Sequence, residues 1–164
     1  IPGDQRGEVL GGDDSNMNYV SRGPGGIRGP QGLPILKPPY GSITAIDLNT
    51  GEHLWQIPNG DTPESIRSHP ALQGVELPRT GKDAHANVLV TKTLLFYGEG
   101  RGGDPLLHVV DKRTGEELTT IELPAPTTTA PMSYVHNGRQ YIVLSVAGDG
   151  EPAQLVALAL PEES

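Results

Sequence analysis

The chain has 164 residues, 22 of them Gly and 16 Pro, and only 4% are aromatic; so many helix breakers argue against a helical bundle. Its formal net charge is −8 with no Lys/Arg-rich run, which argues against nucleic acid as a partner. The absence of Cys removes disulfides, thiolate catalysis and Cys-ligated zinc, and no apolar stretch approaches the ~18 residues of a membrane-spanning helix.

Residues 1–40 carry 9 Gly and 6 Pro, and the run from Ser21 to Pro30 can propagate neither a helix nor a sheet ladder. This stretch reads as an extended segment that docks on something else through Tyr19, Leu33, Ile35 and Leu36. It starts Ile1-Pro2-Gly3-Asp4, without initiator Met or signal pattern, so a processed chain or a piece of a longer one is expected. From residue 41 to 164 the texture changes to short apolar runs divided by turn signals, the mark of an all-β protein. The runs are 42–48, 53–57, 86–91, 94–98, 106–111, 117–123, 131–136, 140–147 and 154–160. An irregular insert at about 58–84 interrupts them. Within it 62–69 reads as one or two helical turns, with Thr62 as cap, Pro63 at the first helical position and Pro70 as the stop.

An internal repeat links these runs. Ala45-Ile46-Asp47-Leu48-Asn49-Thr50-Gly51-Glu52 returns 64 residues on as Val109-Val110-Asp111-Lys112-Arg113-Thr114-Gly115-Glu116. Propeller blades repeat at ~40–50 residues, and the insert accounts for the excess. A fainter third copy maps Leu94–Gly98 onto Tyr141–Ser145 at an offset of 47, and Leu106–Val110 onto Leu155–Ala159 at 49. The repeated motif has a physical logic: Asp accepts backbone N–H bonds across a tight turn, Thr adds another, and Gly supplies positive φ. Trp55 follows the first copy and offers a large surface to bury against a neighbouring blade; the second copy has Thr119 there.

Ala45-x-Asp47-x-x-Thr50-Gly51-x-x-x-Trp55 resembles the tryptophan-docking motif of quinoprotein dehydrogenases, eight-bladed propellers that use pyrroloquinoline quinone (PQQ). Lys37-Pro38-Pro39-Tyr40-Gly41, Asn87-Val88-Leu89-Val90-Thr91, Ala130-Pro131-Met132-Ser133-Tyr134 and Gly138-Arg139-Gln140-Tyr141 are similar, in the same order, to the C-terminal end of the membrane-bound glucose and alcohol dehydrogenase branch. The resemblance implies a partial eight-bladed β-propeller of about two to three four-stranded antiparallel blades. Its runs become two outer strands, one full four-strand blade and three inner strands. It further implies the C-terminal fragment or a subunit of a periplasmic dehydrogenase that oxidises a sugar or alcohol by hydride transfer to PQQ. Ca²⁺ would be liganded mainly by parts of the protein outside this chain. The implied partners are the rest of the propeller and a membrane quinone or cytochrome as electron acceptor. A non-catalytic scaffold of PQQ-like repeats, of the outer-membrane assembly lipoprotein type, is the alternative.

No matched stretch carries the family's base Asp or its calcium-ligating Glu and Asn, so no catalytic residue and no metal ligand is assigned. The resemblance places the start of a blade's innermost strand beside the quinone, which here is Asp83-Ala84-His85-Ala86-Asn87. Methanol dehydrogenase, a relative, has Trp-Gly-Gly at the matching place; His85 and Asn87 are the candidate cofactor-binding residues, both able to donate hydrogen bonds. Thr127, Thr128 and Thr129 read as turn residues. Gly98-Glu99-Gly100-Arg101-Gly102-Gly103 has a G-x-G-x-x-G spacing, but Asp104-Pro105-Leu106-Leu107 starts a strand where a dinucleotide site needs a helix, so it reads as a hairpin loop. His53, His69, His85, His108 and His136 show no helical pairing that would suit zinc.

Overall fold

The apolar runs of the sequence become nine strands among the residues that this computed structural model describes: 28–29, 31–148 and 150–161. They are β1 (Ser42–Ile46), β2 (His53–Pro58), β3 (Asn87–Val90), β4 (Leu94–Gly98), β5 (Leu106–Asp111), β6 (Glu117–Glu122), β7 (Met132–His136), β8 (Arg139–Gly148) and β9 (Glu151–Leu158). They form three antiparallel sheets, β1-β2, β3-β4-β5-β6 and β7-β8-β9, the division into two, four and three that the sequence led us to expect. The chain divides between Leu36 and Lys37 into two compact units. In the first, Arg28 and Pro34 form an isolated bridge, closed by the Gly29 N–H on the Leu33 carbonyl at 2.7 Å. Most of the expected docking segment, including Tyr19, lies outside the described residues.

Alternation along the strands sets the packing of the second unit. On one face of the middle sheet Leu95, Tyr97 and Val110 are buried against Ile43, Trp55 and Ile57 of the first sheet. On the other, Leu107 meets Leu144 and Val146 of the third sheet, with Phe96, Ile121, Ile142, Val156 and Leu158 around them. A sheet covered on both sides must be apolar on both, which is why β5 is buried through four successive residues, Leu107 to Val110. The two ends of the stack differ. Gln56 bonds Ser42 and Thr44 on the far face of the first sheet. Met132, Tyr134 and Leu155, all exposed, mark the far face of the third.

The repeated turns are built as their chemistry demands. Asp47 accepts from the Asn49 N–H at 2.8 Å, Thr50 from the Glu52 N–H at 3.2 Å, and Gly51 adopts φ 76°. Asp111 accepts from the Arg113 and Thr114 N–H groups, Thr114 from the Glu116 N–H, and Gly115 adopts φ 77°. Both copies also share a bulge, at Leu54 opposite Ala45/Ile46 and at Leu118 opposite Val109/Val110, so the repeat extends beyond its legible residues. Trp55 leaves the first copy and lands on the second: its indole N–H donates to the Lys112 carbonyl at 3.0 Å, and its ring covers Gly115.

Two expectations need correction. Thr62 caps nothing. Its hydroxyl donates to the Pro78 carbonyl and accepts from the Thr80 N–H, which draws the limbs of the insert together. Pro63, at ψ 140°, is therefore still outside the helix, and α1 (Glu64–Arg67) starts one residue late. The third repeat is also shifted. Leu95 pairs with Val110 and Ile142 with Leu158, so the offset between β5 and β9 is 48 rather than 49. A one-residue slip exchanges the faces of a strand, and the corrected register sets Leu155 equivalent to Leu107.

Candidate functional site

Three segments meet where β3 starts and β4 ends: the last limb of the insert, the hairpin loop Glu99–Pro105, and the stretch around Thr127. Asn59, at the head of the insert, donates through its amide to the carbonyls of Ala84 (3.0 Å) and Glu99 (3.2 Å). Thr127 is fully buried, bridges to Val146, and its hydroxyl accepts from the Gly100 N–H at 3.2 Å. Thr128 and Thr129 reach the Ser145 hydroxyl at 2.7 and 2.8 Å. These threonines, expected as turn residues, thus also tie the third sheet to the second.

His85 is exposed two residues before Asn87, which is the first residue of β3. A Cβ on Gly100 would overlap the His85 carbonyl oxygen, so only glycine allows the hairpin loop to lie against the strand start. The Asn87 amide donates to the Thr127 hydroxyl at 3.3 Å and so joins the seam between the sheets. The two candidate residues are therefore brought to the same end of the sheets, one facing solvent and the other part-buried.

Beside them lies a cluster that the sequence did not reveal. Glu99 is 1% exposed, and its carboxylate accepts from the Asp104 N–H (2.7 Å) and from Lys82 Nζ (3.3 Å). His108 Nε2 stands 3.2 Å from Glu99 Oε1 and His108 Nδ1 2.9 Å from Glu117 Oε2, while its ring stacks on Tyr97 at 4.4 Å. Lys82 also pairs with Asp104, and Arg79 with Glu117 at 3.5 Å. Burial works against the charged form of Glu99, but His108, the Asp104 N–H and Lys82 more than offset it and hold its pKa below the ordinary value. Burial, reinforced by the charge of Glu117, pushes the Tyr97 phenol up to about 12. One signal was available: His108 interrupts the apolar run of β5, three residues before the next polar position, Asp111, on the side that alternation gives to Tyr97.

The G-x-G-x-x-G spacing is the loop between β4 and β5, as expected, because Leu106 opens a strand and not a helix. Among the described residues no group of three or more His, Cys, Asp or Glu is placed to hold a metal ion.

Antiparallel sheets stacked face to face, the second repeating the turn and bulge of the first, are the pattern of a propeller. The family model for the glucose/ethanol/alcohol dehydrogenase β-propeller domain, named for PQQ, matches residues 5–142. The chain belongs to this family. A probable quinate dehydrogenase (quinone) of Xanthomonas campestris pv. juglandis is 33% identical over 80% of the chain. Quinoprotein glucose dehydrogenase of Escherichia coli (strain K12) is 32% identical over 82%, and quinoprotein glucose dehydrogenase A of Acinetobacter calcoaceticus 30% over 81%. In each case the match spans only 17% of the relative's own length. The three sheets are thus successive blades, the middle one with four strands, and the Glu99 cluster sits at the end of that blade where β3 starts and β4 ends.

Proposed function

We propose that this chain forms part of the cofactor-facing wall of a PQQ-dependent dehydrogenase that oxidises a sugar, polyol or alcohol by hydride transfer to the quinone. The observation that carries it is the family match over residues 5–142. His85 would present its ring, and Asn87 its amide, toward the quinone or a carboxylate of PQQ; an exposed His beside a fixed strand start suits a group rich in oxygen acceptors. PQQ, when bound, supplies the two-electron acceptor, and Ca²⁺ would be held mainly by residues outside this chain. Fully buried Leu107 and its equivalent Leu155, 79% exposed, support a further blade covering the third sheet. The same reading includes a periplasmic site of action, with a membrane quinone or cytochrome as acceptor, and blade contacts of the tryptophan-docking kind at Trp55.

The test is to supply the intact protein with PQQ and Ca²⁺ and assay dye reduction with glucose, quinate, glycerol and simple alcohols. Dye reduction that requires PQQ is expected, with PQQ affinity falling about tenfold in His85→Ala, the loss of one hydrogen bond to a charged group. Failure to bind PQQ, with no substrate oxidised, would reject this reading and favour the scaffold. Residues 1–164 alone are expected to bind PQQ weakly or not at all by calorimetry; sub-micromolar affinity would show that the site is more complete than proposed.

A further inference from the structure

The hairpin loop Glu99–Pro105 leaves the strand ladder at Gly98 and Leu106. In the third blade the ladder continues past the position equivalent to Glu99, the buried apolar Val146, as far as Gly148 and Glu151. In the middle blade the loop is fixed at both stems instead. Glu99 takes the Asp104 N–H and Lys82, Gly103 N–H donates to the Gly100 carbonyl at 3.0 Å, and Lys82 closes on Asp104. Arg101 projects from this fixed loop, exposed, one residue beyond the glycine that packs on His85.

The cations nearby are already neutralised. Lys82 lies between Glu99 and Asp104, and Arg79 faces Glu117. Arg101 has no ion pair among the described residues, although the chain carries a net charge of −8 and the two carboxylates of its own loop, Glu99 and Asp104, stand two residues before it and three after. Those carboxylates are engaged elsewhere, Glu99 by Lys82 and His108 and Asp104 by Lys82. An arginine held on a preorganised loop, with its neighbouring acids engaged elsewhere, offers a planar fork matched to a carboxylate.

We infer that Arg101 is a carboxylate-binding residue of this site, pairing with a carboxylate of the bound cofactor or of a hydroxy-acid substrate. The inference rests on the dehydrogenase reading above. Glu99 is the positioning residue behind it, since it fixes the loop without reaching solvent.

The experiment uses the intact protein as wild type, Arg101→Lys and Arg101→Gln, with thermal midpoints checked first; an exposed loop substitution should leave these unchanged. Calorimetry measures PQQ affinity of the cofactor-free protein. On the PQQ-loaded protein, calorimetry measures affinity for glycerate and for glycerol, which lacks the carboxylate. Arg101→Gln is expected to lose about tenfold or more toward PQQ or toward glycerate, and Arg101→Lys less, since an ammonium cannot form the paired bonds. Glycerol affinity should stay the same. A loss confined to PQQ assigns the carboxylate to the cofactor, and one confined to glycerate assigns it to the substrate. If wild type binds PQQ and Arg101→Gln binds both PQQ and glycerate as wild type does, the inference fails and the dehydrogenase reading stands. If wild type does not bind PQQ, the reading fails and takes the inference with it.

Discussion

Exchange of Glu99 for Gln keeps the shape of the side chain but leaves His108 and Lys82 facing an amide inside a site that water scarcely reaches. The expected cost is about 3 kcal/mol of stability, the penalty for breaking a buried charged network. The pH dependence has a definite sign. A carboxyl whose pKa is lowered by folding contributes stability that is present above its unfolded value, 4.5 for Glu99, and that is lost as pH falls through its folded value. Urea midpoints of the wild type should therefore decline below about pH 4.5, with the gap between wild type and Glu99→Gln narrowing in the same range. Asp61 and Asp111 also titrate below their ordinary value, through the Thr62 N–H and Arg67 in one case and the Arg113 and Thr114 N–H groups in the other. They are common to both proteins, so the difference isolates Glu99. A gap that stays constant down to pH 3 would contradict the charge network.

The two Asp-x-x-Thr-Gly turns form a natural matched pair at the level of the element. Gly51 and Gly115 share the same positive φ, but a Cβ on Gly51 meets open space while one on Gly115 would stand 2.8 Å from the Trp55 ring. Gly51→Ala is expected to cost about 1–2 kcal/mol, the strain of a left-handed non-glycine residue. Gly115→Ala should cost at least about 1 kcal/mol more, because the indole must also give way. Equal losses in denaturant titrations would mean that Trp55 is not fixed there. These turns were legible from sequence because every bond in them spans at most five residues, and the strands were legible because apolar alternation is local as well. The misjudged positions depend on distant partners. Thr62 is claimed by Pro78 and Thr80, and the β9 register by its pairing with β8. The Glu99 cluster gathers Lys82, Glu99, His108 and Glu117 from four segments, and no spacing rule joins them.

For the molecule as a whole, the corrected register makes a quantitative contrast. Leu107 and Leu155 occupy equivalent places in consecutive blades, yet one is fully buried and the other 79% exposed. In residues 1–164 alone, Leu107→Ala should cost about 2–5 kcal/mol as a core truncation. Leu155→Ala should stay within about 0.5 kcal/mol, like other surface changes. In the intact protein Leu155→Ala is expected to become costly as well, because a covering blade turns that surface into core. Thermal unfolding of both variants in both contexts makes the comparison. If Leu155→Ala is neutral in both, nothing covers the third sheet.

The contact of Trp55 with the neighbouring turn also gives the molecule an optical label. It is the only tryptophan in the chain, and it bridges two blades through the Lys112 carbonyl and Gly115 rather than lying inside one. Its fluorescence therefore reports the parting of the first and second sheets specifically. A red shift of emission marks water entering that one joint, even while the strands on either side remain hydrogen-bonded and the far-ultraviolet signal is unchanged.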